Sequence, residues 1–178
     1  MIKVKIVREG TILCDKLSVF DFDGTLFKSP EKPKGYKGNW WAKKESLGPP
    51  NVPEEAPDSF WFLDIVDKAK EEITDPKNCV ILMTGRIDQF FEDRINELIN
   101  QKGLNFKHVW LNEFGGDTGK FKIKKIYDTL KENPTIKKVE MWEDEPSKID
   151  LYKQEFANKE FEFKLNKVGN TPRREKRA

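Results

Sequence analysis

Five short strand-like runs, separated by stretches of helical periodicity, constrain the fold of this chain more than any other feature. They are KLSVFDF (16–22), NCVILMTGR (78–86), KHVWLN (107–112), IKKVEMW (136–142) and FEFKLNKV (161–168). NCVILMTGR is continuously apolar over residues 79–83, which suits a strand covered on both faces, the condition of a parallel sheet. Between them, DSFWFLDIVDKAKEEIT places Phe62, Ile65, Val66, Ala69 and Ile73 on one helical face, with Asp58 or Ser59 as its N-cap. DQFFEDRINELINQKG turns Phe91, Ile95, Leu98 and Ile99 inward and stops at Gly103. TGKFKIKKIYDTLKEN and SKIDLYKQEFAN complete the series, the last opened by Pro146 and a Ser147 to Asp150 spacing that resembles a capping box. The alternation predicts an α/β fold: a Rossmann-like, doubly wound, mostly parallel five-stranded sheet. Ahead of it, the alternating MIKVKIV and the returning EGTILCD predict a small N-terminal hairpin.

At 178 residues the chain has room for one domain with a real core, expected over residues 1–168. Residues 28–58 interrupt the alternation with six of the ten prolines plus Gly35, Gly38 and Gly48, predicting an irregular loop that caps the catalytic strand end. Residues 169–178, rich in Arg and Lys, read as a disordered basic tail. The 33 basic against 31 acidic residues argue against the strong positive field of a dedicated nucleic-acid binder. No secretory leader pattern and no bilayer-length apolar run is present, so a soluble, cytoplasmic protein without membrane association is expected. Cys14 and Cys79 lack a CxxC spacing and read as buried, reduced thiols.

In open parallel sheets, ligands bind beyond the carboxyl ends of the strands. The first strand delivers Asp21 and Asp23 there, the second Thr84, and the fourth Glu143, Asp144 and Glu145, while the loop after the third leads to Lys120 and Lys122. Acids, a hydroxyl and a cation make an inventory for phosphoryl transfer. A carboxylate can attack phosphorus and divide one hard displacement into two easier ones. A hard cation such as Mg²⁺ lets two anions approach, and hydroxyl, lysine and turn N–H groups hold the moving oxygens.

DFDGTLF resembles the first motif of the haloacid dehalogenase (HAD) superfamily, which carries Asp-x-Asp-Gly-Thr in its phosphatases. ILMTGR resembles the second motif through Thr84, TGKFKIKK holds a third-motif lysine, and VEMWEDE resembles the acidic fourth motif. The resemblance implies an Mg²⁺-dependent phosphomonoesterase working through an aspartyl-phosphate. Asp21 would be the nucleophile and Asp23 the acid and base, a position that favours phosphatase over dehalogenase. Thr84, Gly85 and Lys122 would hold the phosphate, with Lys120 the alternative lysine. Asp21, Asp144 and the Asp23 main-chain carbonyl would bind the metal, with Glu143 as a further ligand or a support to them.

The loop sequence GYKGNWWAKKESL interleaves Tyr36, Trp40 and Trp41 with Lys37, Lys43 and Lys44, and Lys34 immediately precedes it. Such a surface can stack a base and hold a phosphodiester, and it equally fits two tryptophans that pin the loop to the body. Together with TGKFK and WEDE, it resembles the HAD branch of Swiss-army-knife RNA-repair proteins. That implies a phosphorylated small molecule, nucleotide or nucleic-acid end as substrate; no stable protein partner is expected. Two other readings are a phospho-acceptor module on the same fold and a non-catalytic nucleic-acid-binding adaptor. His108, without a second histidine, gives no zinc site or Ser-His-Asp triad and reads as a surface residue.

Overall fold

The computed structural model describes residues 13–113 and 115–169. Five strands form one all-parallel sheet: β1 (Lys16–Phe20), β2 (Asn78–Ile87), β3 (His108–Asn112), β4 (Lys138–Glu143) and β5 (Glu162–Lys167). Their order is β3-β2-β1-β4-β5, so the chain runs outward from β1 to one edge and returns to β1's other side to continue. That reversal opens a crevice between the carboxyl ends of β1 and β4, the place where such sheets bind ligands. The predicted hairpin falls largely, and the basic tail almost entirely, outside the described residues.

Helices cover both faces. Against one pack α1 (Leu63–Thr74) and α2 (Asp88–Gln101), where Val66, Ala69, Phe91, Ile95 and Leu98 meet Phe20, Val80, Leu82 and Trp142. Against the other lie α3 (Thr118–Glu132) and α4 (Pro146–Glu155), whose Ile126 and Tyr152 meet Val19, Ile81, Val139 and Met141. Phe20 stacks on Trp142 at 4.2 Å, joining β1 to β4 directly beneath the crevice.

Three local expectations are corrected. Helix α1 starts at Leu63, and neither Asp58 nor Ser59 caps it: Phe62 N–H bonds to Leu26 O, Lys28 N–H bonds to Phe60 O, and Trp61 bridges Phe27. The backbone there is committed to the segment after β1, and tertiary pairing overrides helical periodicity. Helix α4 has Glu145 as its N-cap residue, and the Ser147 hydroxyl donates to the Glu145 carboxylate rather than closing a capping box with Asp150.

The third correction concerns the cysteines, which form a Cys14–Cys79 disulfide. β1 and β2 pair in the register Leu17↔Cys79, which carries the extension before β1 alongside Cys79 with a Cα–Cα distance of 5.7 Å. Partners 65 residues apart leave no spacing motif to read. Closing so long a loop restricts the unfolded chain, so reduction is expected to lower the unfolding free energy by about 2–4 kcal/mol. Urea unfolding with and without reductant measures this; coincident curves would show that the bond adds nothing.

Candidate active site

Asp21 follows the last residue of β1, and its N–H bonds to Trp142 O across the crevice, which sets it beside Glu143 at the end of β4. The chain then turns tightly: Thr25, Leu26 and Phe27 all donate backbone N–H groups to Phe22 O, and Gly24 adopts φ +76°. A Cβ on Gly24 would lie 2.0 Å from Asp144 Oδ2, so a glycine lets the β1 turn close on that carboxylate.

Lys122, from the second turn of α3, inserts between the two strand ends. Its Nζ donates to Asp21 Oδ1 at 2.9 Å and to Glu143 Oε2 at 3.1 Å, and all three side chains are buried. Burial pulls the ammonium toward deprotonation, but the Asp21 and Glu143 carboxylates outweigh it and hold Lys122 well above the ordinary lysine value. Thr25 Oγ1 donates to the other Asp21 oxygen at 3.3 Å. Lys120, two residues earlier, is exposed; Asp117 caps α3 by accepting from its backbone N–H.

Asp23 is gripped from the β2 side. Arg86 Nε donates to Asp23 Oδ2 at 2.9 Å, Arg86 Nη2 donates to Oδ1 at 2.7 Å, and the Ser29 hydroxyl also donates to Oδ1. Thr84 Oγ1 accepts from the Arg86 N–H at 3.2 Å, which shapes the strand end. Gly85 lets α3 approach, since a Cβ there would sit 2.1 Å from Thr118 Oγ1. Neither Arg86 nor Ser29 emerged from the sequence reading. Arg86 had a signal, as it completes the Thr-Gly-Arg that ends β2; Ser29 had none.

Asp21, Asp23, Thr84, Gly85, Lys122 and Glu143 line a cavity of about 390 Å³. Ligand oxygens of Asp21, Glu143 and Asp144 lie within 4.8 Å of one another. Three hard oxygen donors at the mouth of a strand crevice fit a small divalent cation. The two loop tryptophans separate in role. Trp40 is buried, and its Nε1 donates to Pro30 O, pinning the loop, whereas Trp41 lines the cavity with the Arg86 guanidinium 5.3 Å from its ring.

The model of HAD domain family 1 in Swiss Army Knife RNA repair proteins matches residues 23–174. The chain belongs to this family. Asp21 precedes the matched span by two residues. The HAD-family chain is also 24% identical over 169 residues to the uncharacterised protein YMR265C of Saccharomyces cerevisiae, an alignment that covers 79% of this chain and 37% of that protein. Two solved chains share its fold, one from "Structure of the Pnkp1/Rnl/Hen1 RNA repair complex" and one from "Structure of Pnkp1/Rnl/Hen1 complex". The first has a TM-score of 0.59 at 12% identity and the second 0.55 at 14%, each covering 93% of this chain. This HAD domain spans only 48% and 53% of those chains, and identities so low speak for the fold alone. Both were solved within complexes, so the expectation of no stable protein partner draws no support from them. No helix among the described residues is long and apolar enough to cross a membrane.

Proposed function

We propose that this chain is a divalent-cation-dependent phosphomonoesterase that turns over through an aspartyl-phosphate on Asp21. The observation that carries the reading is the juxtaposition at the β1/β4 crevice: a carboxylate oriented by Lys122 and Thr25, a carboxylate donor set beside it, and a second acid two residues away held by Arg86. Asp21 attacks phosphorus as the ester P–O bond breaks, and the departing oxygen takes the proton of Asp23 in its carboxylic-acid form, Arg86 holding the carboxylate that is left. Water then attacks the aspartyl-phosphate, Asp23 takes its proton, and the bond between phosphorus and Asp21 breaks to release phosphate. Lys122 and Thr84 bear on the transferring oxygens. Asp21, Glu143 and Asp144 would hold Mg²⁺, which when bound neutralises charge between the incoming anion and these carboxylates. A fixed second acid favours turnover over a stable phospho-acceptor, which has no need of one.

The substrate we favour is a nucleotide or nucleic-acid end. Family membership supports this, as do the exposed Lys34, Lys37, Lys43 and Lys44 on the loop whose Trp41 lines the cavity. The test is phosphate release, with and without Mg²⁺, across sugar phosphates, nucleotides and 3′- or 5′-phosphorylated oligonucleotides. Metal-dependent release highest from oligonucleotides is expected; salt-sensitive binding without release would favour the adaptor reading. In the same assay Gly24→Ala, whose Cβ invades the Asp144 position, is expected to raise the Mg²⁺ concentration for half-maximal rate by about 10–100-fold. An unchanged metal dependence would remove Asp144 from the donor set.

A further inference from the structure

Two hydroxyls of the loop after the catalytic strand bear on the proposed acid: Ser29 donates to Asp23 directly, and Ser46 reaches it through Arg86. Arg86 spends Nε and Nη2 on Asp23; its remaining edge, Nη1, donates to Ser46 Oγ at 2.8 Å. Ser46 is fully buried, and its own proton goes to Lys43 O at 2.6 Å, which leaves its oxygen oriented toward Arg86. The Trp41 carbonyl also accepts from that edge, at a longer 3.4 Å. Immediately after Ser46 the loop is anchored: Leu47 is buried, and Arg94 of α2 donates to Leu47 O at 2.8 Å, Pro53 O at 2.8 Å and Glu54 O at 3.0 Å. Ser46 is therefore a fixed point on the body of the protein, and the guanidinium spans from it to the Asp23 carboxylate. The rings of Phe91 at 4.6 Å and Trp41 at 5.3 Å hold that guanidinium in place.

We propose that Ser46 is a positioning residue for proton transfer, setting the Asp23 carboxylate through Arg86 and making the loop part of the catalytic apparatus rather than a cover. The inference rests on the phosphatase reading. Positioning of a general acid matters most where the leaving oxygen is a poor leaving group, because an alkoxide needs its proton as the ester bond breaks and a nitrophenolate does not. kcat/KM reports events up to formation of the aspartyl-phosphate, so its ratio between glycerol phosphate and p-nitrophenyl phosphate isolates that proton.

Ser46→Ala is expected to lower the alkyl-to-aryl ratio of kcat/KM by about tenfold. Arg86→Lys keeps a cation near Asp23 but cannot span to Ser46, so it should lower the same ratio, and the double variant should fall little below Arg86→Lys alone. Ser46→Cys, close to serine in size and weaker in hydrogen bonding, is read in the same way should the alanine variant fail to fold. An unaltered ratio in the Ser46 variant, or losses that multiply in the double variant, would overturn the inference while leaving the phosphatase standing. Wild-type protein that releases phosphate from neither substrate, nor from a nucleotide or phosphorylated oligonucleotide, would overturn both.

Discussion

Asp21→Asn is expected to lower kcat for an aryl phosphate by about 10⁴-fold or more, the scale of losing a covalent nucleophile, with the fold intact. The amide has nearly the shape of the carboxylate and still offers an oxygen to Lys122, which keeps Glu143 at 3.1 Å. What is lost is the nucleophilic charge beside phosphorus. Raising Mg²⁺ therefore should not restore the rate, whereas Asp144→Asn, which weakens only the donor set, should recover part of its activity at high metal. A purified Asp21→Asn protein with a native circular dichroism spectrum and a wild-type rate would end the assignment.

Lys122→Met carries the largest expected effect on stability. The lysine is the cation between two buried carboxylates, with Asp144 completing the cluster. Removing one partner from a buried ionic group leaves uncompensated charge, a loss of about 3–5 kcal/mol. A bound divalent cation would offset the repulsion, so Mg²⁺ should raise the melting temperature of Lys122→Met by more than that of wild type. The rate should fall by about 10²–10³-fold, as when one charge-stabilising donor is removed. Because the folded-state pKa of Lys122 lies well above 10.5, its contribution is complete below pH 10.5 and is lost only as pH rises through the folded value. Urea unfolding from about pH 10 to 12 should accordingly show a steeper decline for wild type than for the variant. Equal responses to Mg²⁺ and to pH would mean that Lys122 is not the cation of this cluster.

Much of this architecture was legible because the signals were periodic or sat at strand ends. A continuous apolar run marked β2, shorter apolar or alternating runs marked the other strands, and the inward faces of α1 and α2 followed from Val66, Ala69, Phe91 and Ile95. Asp21, Thr84, Lys122 and Glu143 could be gathered into one crevice once a parallel sheet was assumed. The illegible features are those made by pairing across the fold. Cys14 meets Cys79 only through strand register. Ser46 and Ser29 are ordinary loop serines until Arg86 and Asp23 are placed beside them. Helix α1 starts late because Phe60 and Phe62 pair their backbones with the segment after β1, a demand that helical periodicity does not register. The two adjacent tryptophans face differently because Trp40 reaches the Pro30 carbonyl and Trp41 the Arg86 guanidinium.

The central claim is that Asp21 carries the phosphoryl group during turnover. Acid-quenching the wild-type protein in the steady state with Mg²⁺ and a phosphorylated substrate, followed by peptide mass spectrometry, tests it directly. The account predicts one acid-stable phosphoryl group on the peptide containing Asp21, absent from Asp21→Asn. A phosphoryl group on another side chain, or phosphate release with no labelled peptide at any quench time, would contradict it.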